Sequence, residues 1–275
     1  MNARGMVRRA GLTLGVSLLA VTAYAQATAT QQPAPAQPQS YEPKVGQAGK
    51  DVVWVPTSQA LVDKMLDMAK VTPQDFVMDL GSGDGRTVIT AAKRGATAMG
   101  IEYNPDMVEL SKKNAVKENV TAKATFVKAD LFETDFSKAT VITMFLLPDI
   151  NVKLRPKILN LKPGTRVVSN SFTMEDWEAD QTETLTGDCT SWCTALLWIV
   201  PAKAEGTWTT PQGDLKLTQT YQKLSGTLGA NKVEGKMNGD QITLTAGKTV
   251  YTGKVNGTSI QGTVSGGGSW TATKK

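Results

Sequence analysis

The 275-residue chain predicts a mostly parallel α/β sheet flanked by helices, followed by a small all-β unit. Three observations carry this expectation. From Val52 to about Val200, short β-rich runs alternate with helical patterns. A glycine-rich turn from Asp79 to Arg86 stands between an apolar strand and a helical pattern. After Pro201 the texture changes: residues 205–275 hold 13 of the 25 glycines and show period-two patterns such as Leu215, Leu217 and Ile242, Leu244.

The N-terminal segment reads as an export signal. Arg4, Arg8 and Arg9 precede an uncharged stretch of 14 residues, Ala10 to Ala23, and Ala23-Tyr24-Ala25 supplies small residues at both positions a signal peptidase reads. A signal peptide over 1–25, cleaved after Ala25, is therefore expected, with the bacterial periplasm as destination. The stretch is shorter than the roughly 20 apolar residues a bilayer core requires, so no permanent membrane anchor is expected. Arg8-Arg9 followed by Leu12 suggests the twin-arginine route. An organellar transit peptide is the competing reading, and a misread signal would leave the protein cytoplasmic. Residues 26–50, rich in Pro, Gln and Ala, are expected to form a disordered linker, because they cannot bury enough apolar surface to order themselves.

In the α/β unit, 52–200, a helix over 58–70 places Leu61, Val62, Met65, Leu66 and Ala69 on one face. Strands follow at 76–80, 98–102, 125–128, 141–147 and 166–170. Crossover helices are expected over 87–93, 106–118 and 150–161, with Pro163-Gly164 stopping the last. Runs at 182–186 and 194–200, joined by a Gly-Asp turn, predict an antiparallel closing hairpin. In the β unit, 205–275, Asn238-Gly239 and Asn256-Gly257 are the preferred central pairs of two-residue hairpin turns. Short strands every eight to ten residues predict an antiparallel meander of about seven or eight strands, closed or nearly closed into a small barrel. Gly226, Gly235, Gly253 and Gly262 sit inside strand patterns and suggest bends or bulges. Two readings of this unit stay open: a folding or spacing module, and a ligand-binding barrel.

Composition removes several function classes. Histidine is absent, which excludes Ser-His-Asp and Cys-His catalysis and any His-ligated metal. With only Cys189 and Cys193, a zinc-thiolate cage is also excluded, and no metal is expected. These two cysteines, near a hairpin turn, are expected to form a disulfide after export. The formal charge of +5 falls to +2 without residues 1–25, which leaves 27 basic against 25 acidic side chains and gives no support for a nucleic-acid partner.

The chemistry concentrates at Asp79-Leu80-Gly81-Ser82-Gly83-Asp84-Gly85-Arg86. Glycines let the backbone turn tightly and approach a ligand, and the helix that follows offers free N–H groups. A nicotinamide dinucleotide would require a third glycine where Arg86 stands, and Asp79 would repel its pyrophosphate. S-adenosylmethionine (SAM) carries a sulfonium, an amino group and no phosphate, so an acidic glycine-lined turn suits it. Glu102, 21 residues beyond Gly81, ends the second strand, where a carboxylate can accept from both ribose hydroxyls. Asp130 ends the third and, with Leu131 beside it, is placed to read the adenine amino group.

Through that turn, the Gly100-Ile101-Glu102 segment and the Lys128-Ala129-Asp130-Leu131 segment, residues 52–200 resemble class I SAM-dependent methyltransferases. More narrowly, Val55-Pro56-Thr57, the turn extended through Ile89, Gly100 to Pro105 and Phe145-Leu146-Leu147-Pro148 are similar to the lysine N-methyltransferases of adenine nucleotide translocase and of the ATP synthase c-subunit, and to their bacterial relatives. The resemblance implies a Rossmann-like class I sheet, SAM as cofactor and a protein acceptor. It assigns Asp79, Gly81, Gly83 and Gly85 to the methionine moiety, Glu102 to the ribose and Asp130 to the adenine; Ser82, Asp84 and Leu131 complete the expected cofactor-binding set. Leu147-Pro148-Asp149 departs from the Asn/Asp-Pro-Pro-Tyr/Phe pattern common among amino-group methyltransferases, which argues against adenine or glutamine N-methylation.

Other residues carry structural readings beside functional ones. Asp149 is either a helix N-cap or a weak catalytic candidate facing substrate. Trp54 and Trp177 read as core or rim residues, with Trp177 also a candidate for lining an acceptor channel, and Thr57 either caps the first helix or touches cofactor. Export and SAM chemistry pull in different directions, because SAM is made in the cytosol. The alternative to an enzyme is thus an exported nucleoside-binding or structural module with a methyltransferase fold and no turnover. Intact-mass measurement on protein from its native compartment is expected to show a chain beginning after Ala25; an unprocessed N-terminus would return the protein to the cytosol.

Overall fold

The computed structural model describes residues 41–275. The expected signal peptide, 1–25, and residues 26–40 of the expected linker lie outside the described residues. Residues 41–50, also expected as linker, are folded. The Gly46 amide donates to the Trp54 carbonyl at 2.9 Å, the Trp54 amide returns a 2.9 Å bond to Gln47, and Ala48 bridges Val53 antiparallel. Composition does not register this order because it comes from pairing with the chain that follows, not from the segment's own apolar content.

Seven strands form one sheet. β1 (Phe76–Leu80), β2 (Thr97–Glu102), β3 (Ala124–Lys128), β4 (Val141–Met144) and β5 (Arg166–Asn170) are parallel, whereas β7 (Thr194–Ile199) runs antiparallel to β5 and β6 (Gln181–Thr184) antiparallel to β7. The spatial order is β3-β2-β1-β4-β5-β7-β6. The helices are α1 (Gln59–Met68), α2 (Arg86–Lys93), α3 (Pro105–Lys117) and α4 (Pro148–Ile158). Successive strand residues point to opposite faces, and both faces are covered. Val77 and Val141 pack with Leu61, Leu66 and Val88 of α1 and α2, while Met78 and Ile142 pack with Leu154 and Ile158 of α4.

Local chemistry sets the element ends. Ser58 caps α1 by accepting from the Leu61 amide, and Asn104 caps α3 ahead of Pro105. β4 stops at Met144, short of the expected 147: Phe145 to Leu147 leave the ladder, and Pro148, which has no amide to give, opens α4. The β6–β7 connection, 185–193, is longer than a Gly-Asp turn and is closed by a Cys189–Cys193 disulfide, the pairing expected from the sequence.

The C-terminal unit is a closed eight-stranded antiparallel barrel: β8 (Gly206–Thr210), β9 (Gly213–Thr220), β10 (Lys223–Leu228), β11 (Asn231–Asn238), β12 (Gln241–Ala246), β13 (Thr249–Asn256), β14 (Ser259–Val264) and β15 (Ser269–Lys274), with β15 closing on β8. Its core holds Trp208, Leu224, Met237, Ile260 and Trp270, which pack together inside the barrel. Two turn expectations shift by one residue. Asn238 pairs with Gln241 and Asn256 with Ser259, so Gly239-Asp240 and Gly257-Thr258 are the central pairs. Only the first residue of each has positive φ, 60° at Gly239 and 58° at Gly257, which needs a glycine in one place rather than two.

The barrel engages residues 176–180 of the α/β unit. Tyr221 stacks on Trp177 with ring centroids 5.7 Å apart and donates to Asp176 at 2.9 Å; Gln222 Nε2 donates to the Glu178 carbonyl at 2.8 Å, and Lys236 pairs with Asp180 at 2.9 Å. Trp177 is fully buried at this seam and does not line an acceptor channel.

The strand glycines mark close approaches, not bulges, since the register runs unbroken through them. At Gly262 a Cβ would lie 1.8 Å from the Thr252 carbonyl oxygen, well inside contact distance. Gly262→Ala is therefore expected to destabilise the barrel by about 1–3 kcal/mol, the usual scale of overpacking, measured by denaturant unfolding; unchanged stability would remove this constraint.

Candidate active site

The turn leaving β1 is folded back onto the end of β2. The Gly81 and Ser82 amides both donate to the Ile101 carbonyl, at 2.9 and 3.0 Å, and the Gly83 amide donates to Glu102 Oε2 at 2.9 Å. Glu102 Oε1 accepts from the Asn104 amide at 2.9 Å, so the carboxylate is clamped between two backbone segments. Gly83 has φ +54°, and a Cβ there would lie 2.7 Å from Trp54 Nε1; Gly85 has φ +83°, and a Cβ would meet Phe126 and Ser111 at under 3 Å. From α3, Ser111 Oγ donates to the Gly83 carbonyl at 2.8 Å and Asn114 Nδ2 to the Asp84 carbonyl at 2.9 Å. The turn is held from both sides.

Beside it lies a cavity of about 570 Å³, within the range that holds a nucleoside-sized ligand. Asp79, Gly81, Ser82, Gly83, Asp84, Glu102, Asp130 and Leu131 of the expected set all border it. Gly85 does not: it stands behind the turn against Phe126 and Ser111, and its lack of a side chain serves packing. Asp84 reaches the cavity edge, but its carboxylate is forked onto Arg86, whose Nη1 also donates to the Thr57 carbonyl at 2.7 Å. Asp149 is the second residue of α4, exposed and outside the cavity; Leu147 occupies the N-cap, so Asp149 is neither cap nor cavity residue. As an acid in the first turn it complements the helix dipole.

Three carboxylates set the electrostatics. Asp79 lies buried beneath the turn and accepts from Thr143 Oγ1 at 2.6 Å. Burial pushes its pKa up to about 7, helped by the nearby negative Asp84 and Glu102 and opposed by hydrogen bonds from Thr143 and Thr87. Asp130 is the opposite case: a hydrogen bond from Lys50, with another from the Phe132 amide, holds it below the usual carboxylate range. Ser82 Oγ is buried against Gly100 of β2 without a hydrogen-bond partner among the described residues.

Sequence reasoning missed part of this wall. Residues 47–57 form a strap over the cavity, and Lys50, expected in a linker, reaches Asp130 while its ammonium stands 5.1 Å from the Tyr103 ring centroid. Trp54 lines the cavity over Gly83; Thr57 lines it too, and Ser58 rather than Thr57 caps α1. Phe145, Phe172 and Trp192 complete the far side. The one sequence signal for the last was its position between the two cysteines.

SAM fits these residues. A cation is matched by carboxylates on the floor and rim, and the glycine turn admits close backbone contact.

Comparison with known proteins agrees. The family model described as the ANTKMT methyltransferase domain matches residues 79–181, which begin at Asp79 and end before the barrel. A protein-lysine N-methyltransferase of Saccharolobus islandicus (strain REY15A) is 48% identical over 129 residues, 46% of this chain and 80% of that protein. The human lysine N-methyltransferase of the ATP synthase C-subunit is 34% identical over 128 residues, and the chain spans about half of its length (54%). A crystal structure described as an RNA methyltransferase from Salinibacter ruber, in complex with S-adenosyl-L-homocysteine, is 46% identical with a TM-score of 0.51, covering 54% of this chain and 95% of that one. With four-fifths of the archaeal relative matched, and the family model lying on the strands that build the cavity, the chain belongs to the ANTKMT methyltransferase family of class I SAM-dependent methyltransferases.

Proposed function

We propose that this chain transfers the methyl group of SAM to a lysine ε-amino group of a protein acceptor. The observation that carries the reading is the placement of Glu102 and Asp130 at the ends of adjacent strands, with Asp79 beneath the glycine turn, around one cavity. Bound there, SAM supplies an activated methyl group: the amine lone pair forms the new C–N bond, the sulfur keeps the electron pair of the broken C–S bond, and the ammonium proton is lost. The chain's own work is positioning and exclusion of water. Glu102 is fixed by two amides and keeps acceptor capacity for the ribose hydroxyls. Asp130 lies on the adenine side, where Lys50 must yield or share it. Asp79, beneath the turn and bordering the cavity, would meet the charge of the methionine moiety.

The lysine acceptor follows the names of the archaeal and human relatives; an RNA acceptor is named for the Salinibacter protein. The near-neutral charge without residues 1–25 and the acidic cavity wall favour a cationic acceptor over a polyanion. The Cys189–Cys193 bond supports an oxidising compartment and hence the exported reading.

SAM or S-adenosylhomocysteine is expected to bind more tightly than NAD by calorimetry, and Glu102→Ala to weaken that binding by about 1–3 kcal/mol, the scale for losing hydrogen bonds to a charged group. Tighter NAD binding would overturn the assignment, and an unchanged affinity would remove Glu102 from it.

Asp79 makes a second, electrostatic test. Because its folded pKa of about 7 is raised above its unfolded value, its stabilising protonation is fully present below pH ~4 and is lost as pH rises through about 7. A cation placed nearby lowers that pKa, so SAM binding near pH 7 is expected to release a proton, visible as a heat that depends on the buffer's ionisation enthalpy. Asp79→Asn should abolish the release; a buffer-independent heat in the unsubstituted protein would separate Asp79 from the cofactor's charge.

A further inference from the structure

The sheet order divides the cavity into two chemically different halves. Glu102, Asp130 and the glycine turn stand over β1, β2 and β3, whereas Phe145 follows β4, Phe172 follows β5 and Trp192 precedes β7 by one intervening residue. Since β7 is antiparallel to β5, its beginning meets the ends of β4 and β5 at the same sheet edge. Three adjacent strands thus each deliver one ring. Their centroids are 5.7 Å apart for Phe145 and Phe172, 6.0 Å for Phe145 and Trp192, and 5.0 Å for Phe172 and Trp192, so they form a continuous aromatic wall.

The wall is held in place by features that packing alone does not require. Trp192 has φ +55°, uncommon for a bulky residue, inside the short loop closed by Cys189 and Cys193. It remains 47% exposed. Asn151, fully buried in α4, donates to the carbonyls of Phe172 and Thr173 at 3.3 and 3.0 Å and so fixes the chain as it leaves the residue that carries the second ring. Leu147, beside the wall, is 44% exposed and also borders the cavity. Exposed apolar surface is thereby placed at the mouth of a cavity whose other half is acidic and polar.

We propose that the Phe145–Phe172–Trp192 wall, with Trp192 as its specificity-determining residue, receives the acceptor side chain, holding a four-carbon stem against the rings and an ammonium or methylammonium head by cation–π attraction. This deepens the lysine-transfer reading and rests on it for the acceptor's identity. A cofactor seated over β1 to β3 leaves the β4–β5–β7 side for the incoming group. An aromatic face attracts a cation while costing little desolvation of an aliphatic stem. A neutral side chain of the same shape would gain the packing without the electrostatic part.

That difference gives the test. The full chain, loaded with S-adenosylhomocysteine, is titrated with N-acetyl-trimethyllysine methylamide and with its neutral isostere, in which a tert-butyl carbon replaces the ammonium nitrogen, following the Trp192 indole resonance or, in variants, neighbouring resonances by NMR. The cation is expected to bind about 3- to 30-fold more tightly than the isostere, the range of cation–π energies. Trp192→Ala should abolish the preference and Trp192→Phe retain most of it, with S-adenosylhomocysteine affinity unchanged in both as the check on folding. Should Trp192→Ala fail that check, Phe172→Leu is expected to reduce the same preference. Equal binding of the two isosteres by the unsubstituted protein, or a preference that survives Trp192→Ala, overturns the proposal. Methyl incorporation into lysine peptides, measured separately on the same preparation, reports on the lysine-transfer reading, so either can fail without the other.

Discussion

The Ile101 carbonyl and the Glu102 carboxylate together receive the amides of Gly81, Ser82 and Gly83, and the cavity depends on that short set of hydrogen bonds. They fold the chain leaving β1 back over β2 before α2 begins, which brings Glu102 beside the turn and leaves Asp79 underneath it. Bulk at Gly83 would meet Trp54 and bulk at Gly85 would meet Phe126 and Ser111, so the turn is closed in from the strap above and from α3 behind. A carboxylate that fixes backbone in the free protein is also a pre-oriented acceptor. The same contact therefore serves folding and recognition.

The two ends of the parallel sheet are electrostatically different. At the opening end of β1, Asp75 is buried, but hydrogen bonds from Thr140, the Thr72 amide and Arg166 outweigh the burial and hold its pKa below the usual range. At the closing end, Asp79 is buried with threonine hydroxyls but, among the described residues, no direct cationic partner, and its pKa rises. One carboxylate is satisfied within the fold; the other is left in a state that a cation would relieve. Buried groups whose needs are unmet by the protein itself are where ligand binding has the most to contribute.

The barrel is joined to this machinery through a different surface. Tyr221, Gln222 and Lys236 engage residues 176–180, and Tyr221 covers Trp177, which packs in turn on Trp198 of β7. No barrel residue borders the cavity. The barrel thus completes part of the hydrophobic core beneath β7 while contributing nothing to the cofactor side.

Much of the architecture was legible in the residues because the relevant forces are local or periodic. β1 and β5 match their expected bounds, the alternation of β-rich runs with helical patterns marked a parallel sheet, and the spacing of the Asp79–Arg86 turn, Glu102 and Asp130 followed from strand ends falling on one sheet edge. Turn positions slipped by one residue because Asn238-Gly239 and Asn256-Gly257 fit either of two registers, and only strand pairing chooses between them. The tertiary structure alone decided that residues 41–50 fold, that Lys50 meets Asp130 across 80 positions of sequence, that Trp177 is sealed under Tyr221, and that Asp149 lies outside the cavity. It likewise brought Phe145, Phe172 and Trp192 together. Each of these depends on how segments distant in sequence meet, and no periodicity or propensity encodes which distant partner a side chain will find; strand order does, and strand order is a property of the assembled sheet.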